Sequence, residues 1–187
     1  MLARRGDPTV RAGRVAPARS DYDRRRVSPL LYRRLKAAGI VHPIWTARYA
    51  AQNGVPLELA CAILTLETAG GINEFGHDPT IFVGAGAVTK AKYLAYRALR
   101  DRMHENQGVG PMQLTSGGLQ DQADKLGGCW DPRVNIAVGL HFLGELLTAW
   151  HRDPAAAAGA YNGSGTNGHY ARMAVALAAH FRKVIAG

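Results

Sequence analysis

The chain has 187 residues, 47% apolar and 20% charged, the make-up of an ordinary globular domain long enough to bury a core. No apolar run approaches the ~18–20 residues that cross a bilayer, and the arginine-bearing N-terminus lacks the apolar stretch of a secretory signal peptide. The seven histidines and two cysteines show no HxxxH or Cys/His ligand spacing, so no metal is expected, and no cofactor either.

The net charge of +9 is unevenly placed: residues 1–28 hold eight arginines against Asp7, Asp21 and Asp23, a net +5. With Pro8, Pro17 and few large apolar residues, this stretch reads as a disordered basic arm ahead of a single domain at 29–187. Such an arm suits nucleic acid, anionic wall polymer or an acidic membrane. Its one aromatic, Tyr22, is no stacking platform for a single strand.

After the arm the punctuation is helical. Ser28-Pro29 opens a helix that stops near Gly39, Pro43 opens one that stops at Asn53-Gly54, and Pro56 opens a third that ends at Gly70-Gly71. Residues 72–88 read as a small hairpin or an irregular loop. Helices are expected over 89–105 and 117–126. Asp131-Pro132 caps the clearest one, where Ile136, Leu140, Leu143, Leu147 and Trp150 recur at helical spacing and must face a core. Asp153-Pro154 repeats the cap, and residues 168–185 form the last helix. No stretch sustains β alternation, so the expected class is all-α. Cys61, in an apolar run, reads as a small buried hydrophobe, and Cys129 as similar; a bridge between them is neither required nor excluded.

One residue breaks the pattern of the third helix. In AILTLETAGG, Glu67 falls within about 60° of Ala60, Ile63 and Leu64 on a helical wheel, while Glu58 lies about 180° away toward solvent. A carboxyl held against apolar neighbours, at the partly negative C-terminus of a helix, resists ionising. That is the property of a general acid working near neutral pH. An ion pair with a distant arginine would explain the same residue without catalysis.

Two further segments bear on this choice. In GVGPMQLT, Gly108, Gly110 and Pro111 bend the backbone, and Gln113 offers both a donor and an acceptor to hydroxyl or N-acetyl groups. In AAAAGAYNGSGTNG, small residues permit close packing and deliver Tyr161 and Asn162 to a flexible loop.

In this order, Glu67-Thr68, Gly110-Pro111-Met112-Gln113 and Ala160-Tyr161-Asn162, joined by DPRVNIAVGLHFLGELL, resemble the lytic transglycosylase and goose-type-lysozyme branch of the lysozyme superfamily. The resemblance runs from about residue 43 to 182. The wording FGHD, GVGPMQLT and LGGCW is similar to lysozyme-like domains of actinobacteriophage endolysins. It implies a lysozyme-like helical fold with a glycan-binding cleft, and cleavage of the MurNAc–GlcNAc β-1,4 bond of peptidoglycan. Glu67 would protonate the glycosidic oxygen. Thr68, Gly110, Met112, Gln113, Tyr161 and Asn162 would line or bind the sugar.

Asp78, in a loop eleven residues after Glu67, is the candidate second carboxylate. With it the enzyme would be a hydrolase; without it, Glu67 would act again as base and close a 1,6-anhydro ring. Asp before Pro is also an ordinary turn signal. The implied setting is a monomer made in the cytoplasm and freed by a holin-type partner, or carried on the virion, with the arm drawn to anionic wall polymer. The competing readings are a basic nucleic-acid-binding protein and a non-catalytic wall-binding module. Against the first, no Lys or Arg falls between Arg48 and Lys90, where a recognition helix would need them.

Overall fold

The computed structural model describes residues 27–77, 80–165 and 168–187. Among these the chain is all-α, with eight helices: α1 (Pro29–Ala37), α2 (Pro43–Gln52), α3 (Leu57–Thr68), α4 (Lys90–Met103), α5 (Gly117–Lys125), α6 (Pro132–Ala149), α7 (Pro154–Asn162) and α8 (His169–Ala186). The first twenty-six residues, which hold nearly all of the expected arm, lie outside the described residues, as do Asp78 and Pro79.

The helix boundaries follow local chemistry. Proline stands in the first turn of α1, α2, α6 and α7, where its missing N–H costs nothing. The Asp131 side chain accepts from Arg133 N–H, and Asp153 from Ala155 and Ala156 N–H. Ser28 and Thr89 do the same for α1 and α4, so Thr89 is a cap rather than the first helical residue. The segment between α3 and α4 is an irregular loop, with no strand among its described residues.

Helix α3 is buried on every side through its middle, because two apolar clusters meet across it. Leu59, Ala60, Ile63 and Leu64 enter the main core with α2, α6 and α7, while Cys61 and Ala62 enter a second cluster with Leu35, Ile40, Ala178 and Phe181. The one-sided stripe expected for α3 is therefore a helix that is apolar all round. On α6, Ile136, Leu140, Leu143 and Leu147 are buried as their spacing predicts. Trp150 is not: it caps the helix and stays 38% exposed. Cys61 and Cys129 are free, buried thiols in different clusters, each pushed up to about 12 by burial.

The turn after α3 fixes where its last residues point. Ala69 closes the helix in the left-handed region, followed by Gly70 and Gly71 at φ 79° and 97°. A Cβ on Gly70 would strike the carbonyl of Gly39, in the turn between α1 and α2, and Val41 N–H donates to Gly70 O at 2.9 Å. Gly70 thus faces the backbone of the preceding turn, and Gly71 the side chains of Val41 and His42. Gly70→Ala should cost about 3 kcal/mol, from overpacking plus left-handed strain, and lower the urea midpoint without changing its slope. A midpoint within experimental error of the wild type would contradict this packing.

Candidate active site

Residues 107–114 are irregular backbone, yet largely buried, so their peptide groups need partners that regular structure cannot supply. Five helices each send in one side chain. From α3, the Thr68 hydroxyl donates to Pro111 O at 2.8 Å. From α4, the Tyr96 hydroxyl accepts from Gln107 N–H at 2.9 Å. From α5, Gln120 Nε2 donates to Gln107 O and Leu114 O, both at 2.7 Å. From α6, Asn135 accepts from Met112 N–H at 2.9 Å and donates to Val109 O at 2.8 Å. From α7, the Tyr161 hydroxyl donates to Met112 O at 2.6 Å. Arg100 steadies Gln120 by donating to its Oε1 at 3.0 Å, and is itself paired with Asp101 and Asp121.

This arrangement decides what the candidate sugar contacts do. Thr68 and Met112 are fully buried. Gly110 is pressed against the Asn135 side chain, with φ 74° and no room for a Cβ. Gln113 is held left-handed at φ 46°, its Nε2 donating to Glu74 O at 3.0 Å and Gly110 O at 2.9 Å. Both N–H groups of that amide are spent on the loop, leaving Oε1 against Gly76 and Gly108. Thr68, Gln113 and Tyr161 thus hold the loop through their side chains. Asn162 is exposed at the last turn of α7, before Gly163 in the left-handed cap.

Glu67 occupies the last turn of α3, partly exposed. Burial raises its carboxyl above the usual carboxylate range. A hydrogen bond from Tyr170 and the charge of His77 pull the other way without cancelling the effect. The Tyr170 hydroxyl, from the first turn of α8, donates to Glu67 Oε1 at 2.5 Å. His77 Nε2 lies 2.9 Å from Leu66 O, and a carbonyl only accepts, so Nε2 carries the proton. Tyr161 and Tyr170 are both raised, by burial first and then by the Glu67 charge, which keeps both phenols protonated. Glu67, Tyr161, Tyr170 and His77 therefore form one electrostatic group. Glu58, the other glutamate of α3, pairs with Arg182 at 3.1 Å.

Sequence reading missed Tyr170, which sits 103 residues from Glu67 in the chain. It also missed Glu74, whose buried carboxylate accepts from Val88 N–H at 2.7 Å and faces His42 Nε2 at 3.7 Å. A lone acid in the apolar stretch GINEFG was the available signal. Gln107 was missed too: its Oε1 accepts from the N–H groups of Thr80, Ile81 and Phe82, tying down the loop that follows His77.

Fold and site together define an all-α domain with a partly buried carboxyl, raised by burial, beside two tyrosines. No protein-family model, curated protein or solved structure matches the chain.

Two outcomes follow from this geometry. Thr68→Val, which keeps the shape but removes the donor to Pro111 O, should cost about 2 kcal/mol, while Thr68→Ser should cost less than about 1 kcal/mol. Equal stability of the two variants in urea would show that the hydroxyl does not hold the loop. Second, the folded state keeps the Glu67 proton to higher pH than the unfolded chain, so ionisation destabilises the fold as pH rises through that interval. Glu67→Gln should then gain stability over the wild type as pH rises from 4 to 8, read from urea midpoints; a difference independent of pH would contradict the raised carboxyl.

Proposed function

We propose that this protein cleaves the glycan strand of peptidoglycan, with Glu67 as the general acid that protonates the glycosidic oxygen. The observation that carries the reading is the setting of Glu67: a carboxyl at the end of a helix, bonded by Tyr170, partly exposed, and raised by burial above the usual carboxylate range. Because Oε1 accepts from Tyr170, Oε2 is the oxygen left to carry the transferable proton. Tyr170 also fixes the rotamer of the acid, as a proton donor to a leaving group requires. After proton transfer, the same hydroxyl and the nearby His77 stabilise the carboxylate that remains.

The motif order Glu67-Thr68, Gly110 to Gln113 and Ala160 to Asn162 points to MurNAc–GlcNAc linkages as the substrate. In this reading the middle segment frames the site, since its side chains are tied up in the loop that Thr68, Asn135 and Tyr161 support. The identity of the second step lies in the products. Anhydro-ended muropeptides mean that Glu67 returns as a base, and reducing ends mean that water attacks, the role for which Asp78 is the candidate.

The test is mass spectrometry of peptidoglycan digested by the purified chain. Soluble muropeptides are expected from the wild type, and Glu67→Gln should lower their rate of release about a thousandfold while the helical circular dichroism is retained. The rate should fall as pH rises through the Glu67 value, with that limb above the ordinary carboxylate range. Full activity in Glu67→Gln would refute the assignment of the acid. No release by the wild type across several wall types would refute the function.

A further inference from the structure

The chain's positive charge is segregated in a way the acid at Glu67 does not use. Helix α1 carries Arg33, Arg34 and Lys36, and α8 carries Arg172, Arg182 and Lys183, with no Asp or Glu on either helix. These two helices pack on each other, and Arg34 donates to Ile185 O at 2.9 Å where they meet. The eight arginines of residues 1–26 lie immediately before α1 in the chain. Everything outside those residues and the two helices carries nine basic and eleven acidic side chains, a net −2. The protein is therefore basic through one pair of helices and the segment leading into it, and slightly acidic elsewhere.

The side chains are placed to use this charge. Arg33, Lys36, Arg182 and Lys183 are exposed, while Leu35, Ala178 and Phe181 turn inward to the shared apolar cluster. Arg182 spends part of its charge on Glu58. Tyr170, which holds Glu67, and Arg182 are twelve residues apart on α8, about 18 Å along one rod. Arg182 and Lys183 thus sit toward the far end of α8 from the Tyr170 contact with Glu67, while Arg172 is two residues from Tyr170.

We propose that the outer face of α1 and α8 binds a linear, phosphodiester-bearing wall polymer, holding the domain beside glycan strands while Glu67 acts. The choice of this partner rests on the glycan reading of Glu67; the presence of a polyanion site does not. Guanidinium groups form forked bonds to phosphate oxygens, and two of these four exposed cations, Arg33 and Arg182, are arginine. Neither helix carries an Asn or Gln, the side chains that pair with adenine. Tyr32 is the sole exposed Phe, Tyr or Trp on the two helices, too few for a run of stacked bases. The large apolar side chains exposed on the two helices are Leu30 and Tyr32 on α1 and Met173 and Val175 on α8, too few and too scattered among charges for an insertion face in a bilayer.

The test uses the full chain and lipid-free poly(glycerol phosphate), with binding read by fluorescence anisotropy over a series of salt concentrations, so that no glycan cleavage enters the readout. Binding should weaken steeply with salt, and the triple variant Arg33→Glu, Lys36→Glu, Lys183→Glu should lose about tenfold or more in affinity and show a shallower salt slope. Its helical circular dichroism and its rate on short, phosphate-free glycan oligomers should be unchanged. A second variant, Lys90→Glu with Lys125→Glu, removes the same kind of charge from α4 and α5 and should leave binding nearly intact. Equal loss in both variants, or no loss in the triple variant, would overturn the proposal. So would tighter binding to duplex DNA or to phosphatidylglycerol vesicles than to the polymer. Polymer binding with no muropeptide release from walls would keep the basic face and remove only the glycan reading.

Discussion

The structure depends on a buried stretch of chain that has no regular secondary structure of its own. Peptide groups withdrawn from water must find partners, and residues 107–114 have no ladder or helical turn to provide them. Thr68, Tyr96, Gln120, Asn135 and Tyr161 supply the missing bonds, one from each of five successive helices. The helices are thus tied to a common segment as well as packed on each other. Apolar burial sets how closely α3, α6 and α7 approach, and this polar centre sets their register.

The same constraint explains how Glu67 comes to be held. Thr68, the next residue, is fixed by Pro111, and the following turn is fixed by the contact of Gly70 with Gly39. The end of α3 therefore cannot rotate to move the carboxyl fully into solvent. Tyr170 reaches it because α8 runs along α3, bringing the first turn of one beside the last turn of the other. Burial there disfavours the charged form, which raises the carboxyl above its usual range.

Much of the fold was legible because helix ends are written locally. Proline at the first turn, Asp131 and Asp153 as caps, and glycines past the last turn all act within a few residues, and the helices begin and end close to where those signals fall. Trp150 was misread because a spacing pattern does not reveal that the helix has already ended. The candidate site was legible only in part. Glu67 stood out as an acid among apolar residues, a conflict visible in one segment. Tyr170 did not, since an isolated tyrosine in the first turn of a helix carries no sign of a partner 103 residues away. Gln113 and Thr68 were noticed as polar residues, but a sequence does not say whether a donor faces a ligand or its own backbone.

That inward turn of Gln113 has a consequence for how this sequence can vary. Its amide oxygen lies where a Cβ on Gly76 or on Gly108 would have to go, and its amide nitrogen bonds both the Glu74 carbonyl and that of Gly110. Positions 76, 108 and 113 therefore share one volume. A larger residue at either glycine demands a shorter one at 113, and a shorter residue at 113 abandons two carbonyls. Across descendants of this chain the three should change as a set or not at all, a co-variation imposed by space rather than by chemistry at Glu67.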